Sequence, residues 1–349
     1  MQSQLRLAAG ATGVGRLASA TAADPHALVD TPPRGVARLL MSGKRRLAGL
    51  LGLAAAKLLR PSGVEFPSVR RALWQGGIAA QPKGFYSSLV DPADLPRSAE
   101  PHPCPGVRLN TERQHHYLTT IFPRFRDEFA ELPLDRPRDW GARPRFFRRN
   151  DAFQNIDPLA YWGIIRTHRP SRIVELGSGY STLLAREALA ANGAGHVTAI
   201  DPFPREFIRR SDHDIELVAA PAEQVDPAVL LSLEPDDIVF VDSSHVVRQH
   251  GDVIWFFLAI LPRLRDGVIV HVHDIHLPFD YPSELITQRN VYWTEQYLLQ
   301  AYLLKNTADE VMFSSRFAAH VFPGDASRAF PDVDRLDGGS FWLRIGAAA

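Results

Sequence analysis

The chain has 349 residues, 45% apolar and 22% charged, with 39 Lys/Arg against 39 Asp/Glu. A formal charge of zero gives no case for a nucleic-acid partner, and the single cysteine, Cys104, allows neither an intrachain disulfide nor a cysteine-based zinc site. No apolar run reaches the ~18–20 residues of a membrane span, and with no clear signal peptide the expected compartment is the cytoplasm.

The zero hides an asymmetry. Residues 1–60 carry nine Lys/Arg and two Asp, net +7, which leaves −7 for the rest. Residues 1–33 are small, polar and proline-containing, a composition that predicts disorder. Over 34–60, Val36, Leu40, Leu47, Leu50, Leu51, Ala54 and Leu58 recur at helical spacing among Arg38, Lys44, Arg45, Arg46 and Lys57. That predicts a basic amphipathic helix that packs on the protein or a partner, with an anionic membrane surface as the second option. Residues 61–144 read as a lead-in or cap region. It holds a proline-rich connector over 61–106, a helix over 111–131, and the basic aromatic loop that runs into "NDAF". A helix over 157–170 follows, with Asp157 as N-cap and Pro158 at the first helical position.

From 171 the pattern is regular. Strands are predicted at 172–176, 196–201, 215–220, 237–243, 267–275, 310–315 and 340–345. Helices are predicted over 180–191, near 204–210, near 226–233, over 249–263 and near 283–305. Apolar strands alternating with helices describe an α/β fold whose parallel sheet is covered on both faces. Ligands bind such sheets at the carboxyl ends of the strands.

The first strand ends in Glu175-Leu176-Gly177-Ser178-Gly179. Glycines there let the backbone turn and let a ligand approach. The second strand ends at Asp201, whose carboxylate can accept from ribose hydroxyls. A dinucleotide site asks for a third glycine where this chain has Thr182. Glu175 would also repel a pyrophosphate and attract an α-amino group. The residues therefore favour S-adenosylmethionine over a nicotinamide dinucleotide.

The segments "VELGSGYSTLL", "VTAIDP", "IVFVDSSH" and "LPRLRDGVIVHVHDI", in that order, resemble the class I S-adenosylmethionine-dependent methyltransferases, and within them the methyltransferase 24-like family. The resemblance covers about 145–345, and the methyltransferase domain is taken as 145–349. It implies a Rossmann-like sheet of seven strands, mostly parallel, the last antiparallel. It implies that Glu175, Gly177, Ser178 and Gly179 form the methionine-side turn. Asp201 then takes the ribose, Pro202 and Phe203 flank the adenosine, Ala222 and Glu223 lie near the adenine, and Asp242 faces the methionine end.

"VDSSH" and "HVHDIH" stand at the ends of the fourth and fifth strands, where alternation puts His271 and His273 on one face. Methyl transfer to a hydroxyl needs a proton acceptor, and His245 and His273 are the candidates, with Asp242 or Asp274 orienting them. Related oxygen methyltransferases hold magnesium through acids at these strand ends. Asp242 and Asp274 match two such positions, but His273 replaces an expected oxygen ligand. Metal-free base catalysis is therefore preferred, with a histidine-favouring divalent metal second and a structural role for the histidines third. Gln154 and Asn155 are expected to close over the cofactor. Phe279, Tyr281 and Glu284 are assigned to an acceptor pocket, and Trp293, Glu295 and Tyr297 either touch substrate or pack in the core. The expected function is methyl transfer to a small-molecule acceptor, with oxygen the target the family suggests. The alternatives are a nicotinamide-dependent oxidoreductase and a non-catalytic scaffold of the same fold.

Overall fold

The alternating strands assemble into one seven-stranded sheet in the computed structural model, which describes residues 47, 49–57, 66–81, 84–95, 100–102, 104–141, 144–210 and 215–346. The strands are β1 (Arg172–Leu176), β2 (His196–Ile200), β3 (Ile215–Val218), β4 (Ile238–Val241), β5 (Ile269–Val272), β6 (Glu310–Ser314) and β7 (Phe341–Arg344). Their order is β3-β2-β1-β4-β5-β7-β6. β7 runs antiparallel to both β5 and β6, and the other pairings are parallel. This is the expected Rossmann-like arrangement with the last strand reversed. The order changes direction between β1 and β4, which opens a crevice at their carboxyl ends.

The chain divides into two units, residues 1–88 and 89–349. Most of the helix expected over 34–60, and all of 1–33, lies outside the described residues. Residues 47 and 49–57 are helical. The connector expected to be irregular contains a helix, α1 (Pro67–Gln75), with proline at the start where its missing N–H costs nothing. Among the described residues no helix is long and apolar enough to cross a membrane.

The second unit holds α2 (Thr111–His116), α3 (Phe122–Ala130), α4 (Ile156–His168), α5 (Tyr180–Asn192), α6 (Glu206–Arg209), α7 (Ala228–Leu231), α8 (Asp252–Trp255), α9 (Ser283–Thr287), α10 (Glu295–Leu303), α11 (Ser315–Val321) and α12 (Pro323–Ala329). A π-helical turn, Tyr117–Ile121, joins α2 to α3 just ahead of Pro123, which cannot donate to the helical ladder. Alternation along the strands splits the core in two. Ile173, Ile238 and Phe240 face α4 and α5, while Val174, Leu176, Val239 and Val241 face the helical run 252–263.

Three expectations need correction. The helix near 283–305 is two helices, α9 and α10, separated by residues 288–294. Helices α11 and α12 fill the link between β6 and β7, for which no element is predicted. Asp157 is not an N-cap, because α4 starts one residue earlier and its cap position is Asn155. The buried Asp157 carboxylate instead accepts from Ser315 Oγ at 2.7 Å, Gly339 N at 2.8 Å and Ser340 N at 3.1 Å. One acid thus fastens the start of α4 to the entry of β7.

Removing that carboxylate strands two buried N–H groups, at about 1–3 kcal/mol each. Asp157→Ala is therefore expected to lower the unfolding free energy by about 2–5 kcal/mol, read from urea denaturation. Asp157→Asn, which keeps one acceptor oxygen, loses less.

Candidate functional site

The turn after β1 is pinned from both neighbours. Gly177 N donates to Ile200 O at 2.9 Å, and Asp242 N donates to Leu176 O at 2.8 Å. Gly177 has φ +99°, and a Cβ there would stand 1.9 Å from the Asp242 carbonyl oxygen. No residue with a side chain fits.

Glu175 lies behind this turn and is fully buried. Its oxygens accept from Tyr161 Oη at 3.0 Å, Ser181 Oγ at 3.3 Å and Thr182 Oγ1 at 2.5 Å. Burial raises its carboxyl pKa to about 7 against the pull of the hydroxyls. From sequence this acid is expected to face a ligand's ammonium. The structure turns it inward, where it binds the turn's own hydroxyls, because the β1 alternation points residue 175 at α4 and α5. Thr182 Oγ1 also accepts from Gly179 N at 2.9 Å, so the N-cap amide of α5 is satisfied within the protein.

Asp201 closes the other flank. Ser178 Oγ donates to Asp201 Oδ2 at 2.6 Å, and Phe203 N donates to Oδ1 at 2.7 Å. Phe203 is 52% exposed and Ala222 is buried, while Pro202 and Glu223 are half-buried. The segment 150–155 spans the site. Asn150 holds it by bonding the backbone of Phe147, Ala152 and Phe153, and Gln154 bonds the Asn150 carbonyl. Asp151 pairs with Arg205 at 3.5 Å, beyond β2. The Phe153 ring lies 5.4 Å from that of His273, beyond β5. Asn155 has φ +59° at the end of this segment.

At the ends of β4 and β5 the polar groups converge. His245 Nε2 is 3.1 Å from Asp242 Oδ1 and 3.6 Å from Asp274 Oδ2, and its Nδ1 is 2.9 Å from Glu295 Oε2. Burial alone would lower the His245 pKa, but Asp242, Glu295 and Asp274 together hold it well above the usual histidine range. His273 Nε2 stands 4.0 Å from Asp274 Oδ1. Its pKa is also raised, since Asp242, Asp274 and Asp157 outweigh the burial. Burial raises the Asp274 carboxyl. Asp242 is lowered despite burial, through His273 and His245. Gly339 lies flat against Asp274, where a Cβ would come within 2.8 Å of its backbone nitrogen.

The other histidines do not join this group. His271 is fully buried, with its ring 3.9 Å from that of Phe240 and 4.4 Å from that of Trp342, and burial keeps it neutral. Burial lowers His276 to about 3. Cys104 is buried and its thiol is raised by that burial, so it is no nucleophile. Of the residues assigned to an acceptor pocket, Tyr281 packs its ring 5.8 Å from Trp293, and Trp293 lies 4.7 Å from His245.

The family described as Methyltransferase domain, Methyltransf_24, matches residues 174–275, from β1 to the residue after Asp274. This stretch is similar to the methyltransferase domain of that family. A protein of Archaeoglobus fulgidus, described as uncharacterized, is 31% identical over 140 residues, which are 38% of this chain and 61% of that one. The chain thus spans about three fifths of that relative's length. A Podospora anserina methyltransferase solved with S-adenosylhomocysteine covers 64% of this chain and 94% of its own, at 17% identity and a TM-score of 0.37. An O-methyltransferase of Streptomyces achromogenes in complex with S-adenosylmethionine covers 56% and 82%, at 17% identity and a TM-score of 0.35.

Three residues that matter to this site do not show their roles in the sequence. Asp157 reads there as a cap, Gly339 carries no signal beyond a Gly-Gly-Ser run, and Glu295 reads only as a residue near substrate or in the core.

Glu175 yields a pH prediction. Its folded pKa of about 7 stands above the unfolded value near 4.5, so the native state holds the extra proton between them. Its contribution to stability is therefore full below about pH 4.5, falls as pH rises towards 7, and is level above. Glu175→Gln is expected to remove that slope, worth about 3 kcal/mol, when urea denaturation is compared at pH 5 and pH 8.

Proposed function

We propose that the protein is an S-adenosylmethionine-dependent methyltransferase that transfers the methyl group to an oxygen of a small-molecule acceptor. The observation that carries this reading is the turn after β1. Gly179 has open space where a Cβ would stand. Beside it the Ser178 hydroxyl is bonded to Asp201, and the Asp242 backbone is pressed on Gly177. A nucleoside entering there meets Asp201, which exchanges the Ser178 hydroxyl for those of a ribose. Phe203 and Pro202 offer the adenosine an apolar face, and Ala222 and Glu223 stand beside the adenine. The amino-acid end then lies against the 177–179 backbone and Asp242, with Glu175 supporting the turn from behind.

The nicotinamide alternative fits less well. A pyrophosphate seeks unpaired amides at a helix N-terminus, and the Gly179 amide is already taken by Thr182.

Transfer breaks the carbon–sulfur bond of the sulfonium and forms a carbon–oxygen bond to the acceptor, whose hydroxyl proton must leave. His245 has both ring nitrogens committed and is held protonated, so it does not suit that proton. We assign it to Asp274, whose raised pKa makes it the better acceptor, with His245 and His273 standing 3.6 and 4.0 Å from its oxygens. Asp242, His245 and Asp274 each offer one ligand atom, all within 4.8 Å of one another. To ligate, His245 would have to give up its Nε2 proton, and its Nδ1 would stay on the Glu295 carboxylate, as in metal-bound histidines. This mixed nitrogen and oxygen set fits a divalent transition ion better than magnesium. Such an ion would supply Lewis-acid polarisation of the acceptor oxygen.

Calorimetry with S-adenosylhomocysteine is expected to give one-site binding, weakened about 10–100-fold by Asp201→Ala, the loss of hydrogen bonds to a charged group. With metabolite extract and methyl-labelled cofactor, Asp274→Asn is expected to lower turnover by about 10²-fold or more and leave S-adenosylhomocysteine affinity nearly unchanged. Folded wild-type protein that binds neither cofactor form would end this reading.

A further inference from the structure

We propose that Glu295 is a positioning residue for His245: it holds the imidazole by Nδ1, so that Nε2 faces Asp242 and Asp274. The proposal rests on the methyl-transfer reading for its kinetic consequence, but not for its structural signature.

The grip on His245 comes from one short segment, 50 residues downstream. Glu295 Oε2 lies 2.9 Å from His245 Nδ1, and the carboxylate is fully buried. Thr294 N and Glu295 N both donate to the His245 carbonyl, at 2.9 and 3.1 Å. Val247 N donates to Thr294 Oγ1 at 2.8 Å, and the Trp293 ring stands 4.7 Å from the imidazole. His245 itself has φ +57°, a left-handed conformation that a histidine holds only when its surroundings impose it.

This segment lies where the expected helix near 283–305 breaks. A continuous helix would bury its own amides, whereas the break frees the Thr294 and Glu295 amides for the His245 carbonyl. A buried carboxylate is costly unless paired, and the imidazole is the partner that Glu295 has. An imidazole whose Nδ1–H is held by a carboxylate has its ring orientation fixed. Nε2 is then delivered between the carboxylates at the ends of β4 and β5.

The test compares wild type with Glu295→Gln and Glu295→Leu. In wild type the His245 Nδ1–H is expected as a downfield, solvent-protected proton in 1H–15N spectra, assigned by its loss in His245→Gln. Glu295→Gln, which keeps an acceptor oxygen but not its charge, is expected to retain the resonance shifted upfield. Glu295→Leu is expected to lose it. Glu295→Leu should also lower kcat about 10–100-fold, as loss of an outer partner of a site histidine does, with Glu295→Gln restoring most of it. Affinity for S-adenosylhomocysteine should stay within about twofold in both, since the Asp201 flank is untouched. A resonance unchanged in Glu295→Gln would overturn the proposal. So would a loss of kcat and of cofactor affinity in equal proportion, the mark of a merely structural role. Failure of wild type to bind cofactor would refute the methyl-transfer reading alone, because the proton signature does not depend on it.

Discussion

The close approach of Gly177 to the Asp242 carbonyl is the constraint on which the rest depends. β1 lies between β2 and β4, and the backbone leaving β1 is bonded to the ends of both neighbours. A chain with any side chain at 177 would push β4's exit away from β1. Asp242 would then move relative to Ser178, and the two flanks of the crevice would no longer face the same space. The buried set of Glu175, Tyr161, Ser181 and Thr182 resists that movement from behind. Each of those hydroxyls satisfies a carboxylate oxygen that has no access to water, so the set is stable only as a whole.

A second constraint is charge. Around His245 stand three carboxylates, of Asp242, Asp274 and Glu295. One imidazolium does not neutralise three acids, even with His273 nearby. The excess negative charge makes the end of β4 and β5 a place for a cation, be it the sulfonium of the cofactor or a divalent ion. It also bears on the two histidines expected as bases, His245 and His273, whose pKa values are both raised. The same acids that orient an imidazole raise its pKa and favour its protonated form. On the methyl-transfer reading proposed above, Asp274, whose carboxyl burial raises, is the acceptor instead.

The sheet was legible because its signals are local. Five strand-forming residues followed by Gly-Ser-Gly name β1 and its turn, and the expected strand at 172–176 has the observed bounds. Asp201, Asp242 and Asp274 were legible for the same reason, as each follows within two residues of a strand's end. Glu175 was legible as a site residue but not in its direction, which follows from packing against Tyr161. Asp157, Gly339 and Glu295 were not legible in their roles, because each acts on a partner far away in sequence. Asp157 bonds residues 315, 339 and 340, and no periodicity within residues 150–170 points there.

The backbone at this centre carries a further constraint. Three non-glycine residues at the crevice, Asn155, His245 and Asp274, hold positive φ angles of 59°, 57° and 54°. Two distant segments hold them, residues 337–339 for Asn155 and Asp274 and residues 294–295 for His245. Asp337 O accepts the amide of Ile156, the residue after Asn155, Thr294 and Glu295 grip His245, and Gly339 O accepts the amide of Ile275, the residue after Asp274. Strain of this kind costs about 1–3 kcal/mol per residue. A scaffold that only needed the fold would shed that cost by placing glycine or asparagine at 245 and 274. Carboxylate and imidazole in strained positions, each braced from elsewhere in the chain, are what a site needs when side-chain direction matters more than local stability.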